Sequence, residues 1–73
     1  MSKIIIFLPD QTHYEVKKLE NPKNLPFGTY IYRRYESMGV DEWFLIQDAH
    51  AWVRTVKSEN VPQWIQMTML LLK

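Results

Sequence analysis

Two histidine–aspartate pairs are the first residues in this chain that could do chemistry. Asp10 and His13 share one predicted turn, and Asp48 and His50 stand at one predicted helix start. Together the four offer the oxygen and nitrogen donors of a metal site. Their spacing matches no metal-binding motif, and a role as helix N-cap accounts for Asp48. None of the serine and threonine hydroxyls sits in a nucleophile elbow. Asp41 and Glu42 are adjacent carboxylates, but acid–base catalysis needs two acids in a cleft, and these fall in a predicted hairpin turn. The two glycines form no phosphate loop. With no cysteine in the chain, disulfides, thiolate catalysis and cysteine-ligated zinc are all removed. The expectation is a protein that is not an enzyme and uses no cofactor or metal.

Binding residues are easier to find. Tyr30-Ile31-Tyr32-Arg33-Arg34-Tyr35 interleaves tyrosine with arginine along one predicted strand. On a sheet surface such a row can stack unpaired bases and hold phosphates, with Lys17, Lys18 and Lys23 extending the positive side. The same residue types carry most of the energy in protein interfaces. They also suit a strand with no partner at all, since tyrosine is a favoured strand residue and arginine pairs readily across strands. A second candidate surface surrounds Trp64, Met67, Met69 and Leu70, because methionine adapts to irregular partners. There Trp64, Ile65, Met69 and Leu72 are expected in the core, and Leu70 exposed. The candidate partner-binding residues are therefore Tyr30, Tyr32, Arg33, Arg34, Tyr35, Lys17, Lys18 and Leu70.

Composition sets the limits. The chain has 73 residues, enough for one domain over 1–73. At this size only about 60% of the unfolded surface is buried, so stability is modest and partners matter. A hydrophobic fraction of 47% indicates a globular rather than disordered chain. The net charge is +1, made of +3 over residues 1–34 and −2 over residues 35–73. That is a mild asymmetry, short of the footprint of a strong DNA binder. The apolar run Ile4 to Leu8 is too short for a signal-peptide core and runs into Pro9-Asp10, a turn. No segment reaches a membrane span. The expectation is a cytoplasmic protein without a membrane partner.

The elements that must position these residues follow from periodicity. Lys3 to Leu8 is a strand apolar on both faces, and such strands are buried on both sides. Thr12 to Leu19 forms the second strand of a hairpin, with Tyr14 and Val16 on one face and His13, Glu15 and Lys17 on the other. Glu20 to Gly28, with its prolines and asparagines, is a loop in which Leu25 and Phe27 pin the chain to the core. Thr29 to Glu36 and Glu42 to Gln47 form a second hairpin. Ala49, Trp52, Val53 and Val56 recur at helical spacing, which predicts a helix from Asp48 to about Glu59. The end of the chain is read as a second helix, where Pro62 suits a first turn and Gln, Met and Leu favour helix, in competition with a strand in which Ile65, Met67 and Met69 alternate with Gln66 and Thr68.

The expected fold class is α+β: a four-stranded antiparallel sheet of two hairpins, with two C-terminal helices packed on one face. Its other face would be open, partly apolar and aromatic, and available to a partner. The functional expectation is a small modulator or inhibitor that binds a larger protein, such as the accessory and anti-host-defence proteins bacteriophages encode. A small RNA-binding module and a homodimeric assembly protein are the competing readings.

Overall fold

The computed structural model describes residues 2–19, 24–47 and 53–72. Five strands lead to one helix: β1 (Ser2–Phe7), β2 (His13–Val16), β3 (Tyr30–Tyr35), β4 (Val40–Ile46), β5 (Val53–Val56), a 3-10 turn (Ser58–Asn60) and α1 (Gln63–Leu71). The strands form one antiparallel sheet in the order β2-β1-β3-β4-β5. Both expected hairpins are present, and the fold is α+β as expected. Among the described residues there are five strands rather than four, and one α-helix rather than two.

The extra strand lies in the predicted Asp48–Glu59 helix. Residues 48–52 of that segment, with Asp48, His50 and Trp52, lie outside the described residues. Val53–Val56 pairs with β4, placing Val53 beside Ile46 and Val56 beside Trp43. Val-Arg-Thr-Val is three-quarters β-branched, and those side chains are stiff in a helix and well placed on a pleated sheet. Pairing to a central strand outweighs the helical spacing of the valines.

Local chemistry explains the turns. Leu8 and Thr12 close the β1–β2 hairpin: the Leu8 N–H donates to the Thr12 carbonyl at 2.8 Å, and the Gln11 N–H to the Leu8 carbonyl at 3.0 Å. Gln11 takes the left-handed conformation (φ 71°) that this three-residue loop needs at its last position. Asp10 accepts from both the backbone N–H and the hydroxyl of Thr12, which holds its carboxyl below the usual aspartate range. Gly39 (φ 65°) closes the β3–β4 turn.

The sheet is apolar on both faces, as β1 predicts. On one face α1 covers Ile5, Phe7, Tyr32 and Trp43, with Val61 and Ile65 completing the cluster. This core is aromatic: Phe7 lies 5.9 Å from Trp43 and 6.0 Å from Trp64, and Tyr32 lies 4.9 Å from Trp43, ring centre to ring centre. On the other face lie Ile4, Ile6, Ile31 and Ile46. That face is not left open for a partner. Leu19 and Leu25, on either side of residues 20–23, pack against it. The connection from β2 to β3 ends at Thr29, fully buried, whose hydroxyl donates to the Pro26 carbonyl at 2.7 Å. Leu25 thus pins the loop as expected, whereas Phe27 is exposed.

Pro62 occupies the N-cap of α1, and its carbonyl accepts from the N–H groups of Ile65 and Gln66. The Gln66 amide reaches back to the Val61 carbonyl at 2.8 Å, fixing the entry to the helix. Ile65 is fully buried, and Trp64 and Met69 pack beside it. Among the expected core residues of this segment Leu72 departs: it is exposed, just past the last helical turn.

Candidate protein-contact surface

The register of β3 divides the tyrosine–arginine row between the two faces. Tyr30, Tyr32 and Arg34 share the α1 side with Ile5 and Phe7; Ile31, Arg33 and Tyr35 share the side of Ile4 and Ile6. The row therefore does not act as one surface. Tyr30 is half-buried against the aromatic core. Tyr32 is buried, and its hydroxyl donates to Asp41 Oδ1 at 3.0 Å. Burial, aided by the Asp41 carboxylate, pushes the Tyr32 phenol above its ordinary value. Arg34 Nη1 donates to the same oxygen at 2.8 Å; the Tyr32 hydroxyl and the Asp41 charge both raise its pKa.

On the opposite face Arg33 donates through Nε and Nη2 to Glu42 Oε1, at 3.2 and 3.0 Å. Its guanidinium lies 4.9 Å from the Tyr35 ring centre and 5.3 Å from that of Phe44. A stacked, paired arginine of this kind closes apolar surface as a cap. The carboxylates Asp41 and Glu42, adjacent in sequence, thus point to opposite faces and each holds one arginine of β3. They form no acid–base pair in a cleft.

Lys17 and Lys18 are exposed where β2 ends, away from the ion-paired arginines in sequence and in sheet order. His13 stacks on Phe7 with ring centres 5.8 Å apart. Among the described residues no three of His, Asp and Glu gather as metal ligands. No helix among them is long and apolar enough to cross a membrane.

Apolar surface is concentrated on α1. A surface helix ordinarily turns charged residues outward. From Gln63 to Leu72 this segment carries no charge at all. With Ile65, Trp64 and Met69 turned inward, the outward side is Gln63, Gln66, Met67, Leu70 and Leu71. Met67 is 56% exposed, Leu70 64% and Leu71 85%, and the two leucines stand three and four residues after the methionine. Beside this stripe runs a groove of about 390 Å³ between α1 and β4, which Leu70 shares with Trp43, Gln66 and Met69. Leu70 was legible as exposed from the sequence. Leu71 was not: a helix with so wide an apolar band does not reveal which part its own sheet covers.

Comparison with protein-family models, with curated proteins and with solved structures finds no match to this chain.

Proposed function

We propose that this chain is a non-catalytic binding protein, a modulator or inhibitor that lays the outward face of α1 on a larger protein. The observation that carries the reading is the uncharged side of α1 with Met67, Leu70 and Leu71 in solvent. Helices with apolar anchors at i, i+3 and i+4 seat in apolar grooves of partner proteins. Met67 gives that face adaptability, and Gln63 and Gln66 supply neutral hydrogen-bonding groups at its rim. The internal pairing of Arg33 and Arg34 favours a protein partner over RNA, because both charges are already opposed by carboxylates. An accessory protein of the kind a bacteriophage directs at a host factor would have these properties.

The test is capture of the tagged protein's partners from a lysate of its own host, with and without nuclease, over a range of salt. A stoichiometric protein that survives nuclease and moderate salt supports this reading. Binding that falls steeply with salt, or disappears with nuclease, transfers the function to nucleic acid. Self-association alone, seen by sedimentation of the purified chain, transfers it to assembly.

A further inference from the structure

We infer that Met67 is a peroxide-modification site, and that its oxidation to the sulfoxide releases the protein partner from the outward face of α1. The partner rests on the proposed function; the reactivity rests on how α1 sorts its sulfur. The chain has no cysteine, so thioether sulfur is the only sulfur a peroxide can attack. Met67 and Met69 stand two residues apart on α1 and turn opposite ways. Met69 packs, partly buried, against the cluster of Phe7, Trp43 and Ile65, whereas Met67 is mostly in solvent. Met38 is exposed as well, but it stands on the β3–β4 turn. Among the described residues Met67 alone joins exposed sulfur to a place on the contact face, with Leu70 and Leu71 following it by three and four residues.

Hydrogen peroxide supplies the oxygen. A lone pair on Met67 Sδ attacks one peroxide oxygen, and the S–O bond forms as the O–O bond breaks. The other oxygen takes the proton of the transferred one and leaves as water. Sulfur is oxidised by two electrons and the peroxide is reduced by two. An apolar thioether becomes a polar sulfoxide, whose oxygen accepts hydrogen bonds. In the free protein water supplies those bonds, and the core behind Met69 is untouched. Seated in an apolar groove, the sulfoxide oxygen is stripped of water with no donor in return, which should weaken the contact roughly tenfold or more. A bound partner covers the sulfur, so the free protein is the form that reacts.

The purified, tagged chain is treated with hydrogen peroxide, freed of it, and only then used in capture from host lysate beside the untreated protein. Peptide mass spectrometry should show Met67 oxidised several-fold faster than Met69. Once Met67 is fully oxidised, thermal unfolding should match the parent protein while the captured partner falls roughly tenfold. Met67→Leu keeps an apolar side chain at this exposed position and removes its sulfur, so it should hold the partner equally before and after peroxide. Met38→Leu should lose the partner after peroxide as the parent does. Met67→Gln, polar without any oxidant, should capture as little as the oxidised parent. Met69 reacting as fast as Met67, an oxidised parent at full yield, or a peroxide-dependent loss that persists in Met67→Leu would each overturn the inference and leave the proposed function standing. An untreated parent that captures no protein removes the proposed function, and the inference falls with it.

Discussion

The two faces of this sheet are both apolar but are closed by different means. One lies under a helix and is built from rings: Phe7, Tyr32, Trp43 and Trp64 around Ile65. The other is built from isoleucines, with Leu19 and Leu25 packed against them and Arg33 stacked on Phe44. The far side of a covering helix must meet water, which puts Met67, Leu70 and Leu71 in solvent on the first face; on the second, the covering Leu19 and Leu25 are themselves only partly buried. Burial on both faces gives a small domain enough core to fold, and the two covers differ in what they expose.

The comparison can be broken by substitution. Ile65→Ala should be the most damaging change, at about 3 kcal/mol, because a fully buried side chain at the centre of the helix-covered core is lost. Domains of this length have about 4–11 kcal/mol in total, so urea unfolding should show a variant near its limit. Leu25→Ala on the other cover should cost less, about 1–2 kcal/mol, since Leu25 is only partly buried. Equal losses would show that the thin cover holds as much as the helix does.

Polar closures give smaller effects. Tyr32→Phe removes the hydroxyl bond to Asp41 and should cost about 1 kcal/mol at neutral pH. It should also alter the alkaline limb of the stability curve. The raised Tyr32 pKa means the folded state holds this proton more tightly than the unfolded one. The associated stability is complete below the ordinary tyrosine pKa and is lost as pH rises through the folded value. Denaturant titrations from pH 8 to 11 should therefore fall less steeply for Tyr32→Phe than for the parent protein. Gln11→Gly should act in the other direction. It relieves a left-handed glutamine but adds freedom to the unfolded chain, for a net gain of about 0.5 kcal/mol in thermal unfolding.

Much of this arrangement was legible in the sequence, and the reasons are particular. Lys3 to Leu8 has no polar alternation, and a strand without alternation is buried on both sides; Ile4, Ile5, Ile6 and Phe7 are. Pro62 before a Gln/Met/Leu run marked α1 to within a residue or two. The division of β3 between the two faces obeys simple strand alternation. Val53–Val56 departs from the expected helix because the spacing of Ala49, Trp52, Val53 and Val56 is helical, whereas pairing with β4 puts the two valines on opposite faces of the sheet. The open face was misread because a leucine in a proline-rich loop does not say where it lands; Leu19 and Leu25 land on the isoleucines. The expected tyrosine–arginine surface rested on residue type. Sequence does not show that Asp41 and Glu42, one on each face, oppose its two arginines.

On the proposed function, the outward side of α1 is spare for folding and required for binding. The most direct test is the double variant Leu70→Glu, Leu71→Glu, melted and then used in capture beside the parent protein. Both side chains are mostly in solvent, so stability should change by no more than about 0.5 kcal/mol. The captured protein should disappear from the eluate. A variant that keeps its partner at full yield, or one that no longer folds, would contradict the claim.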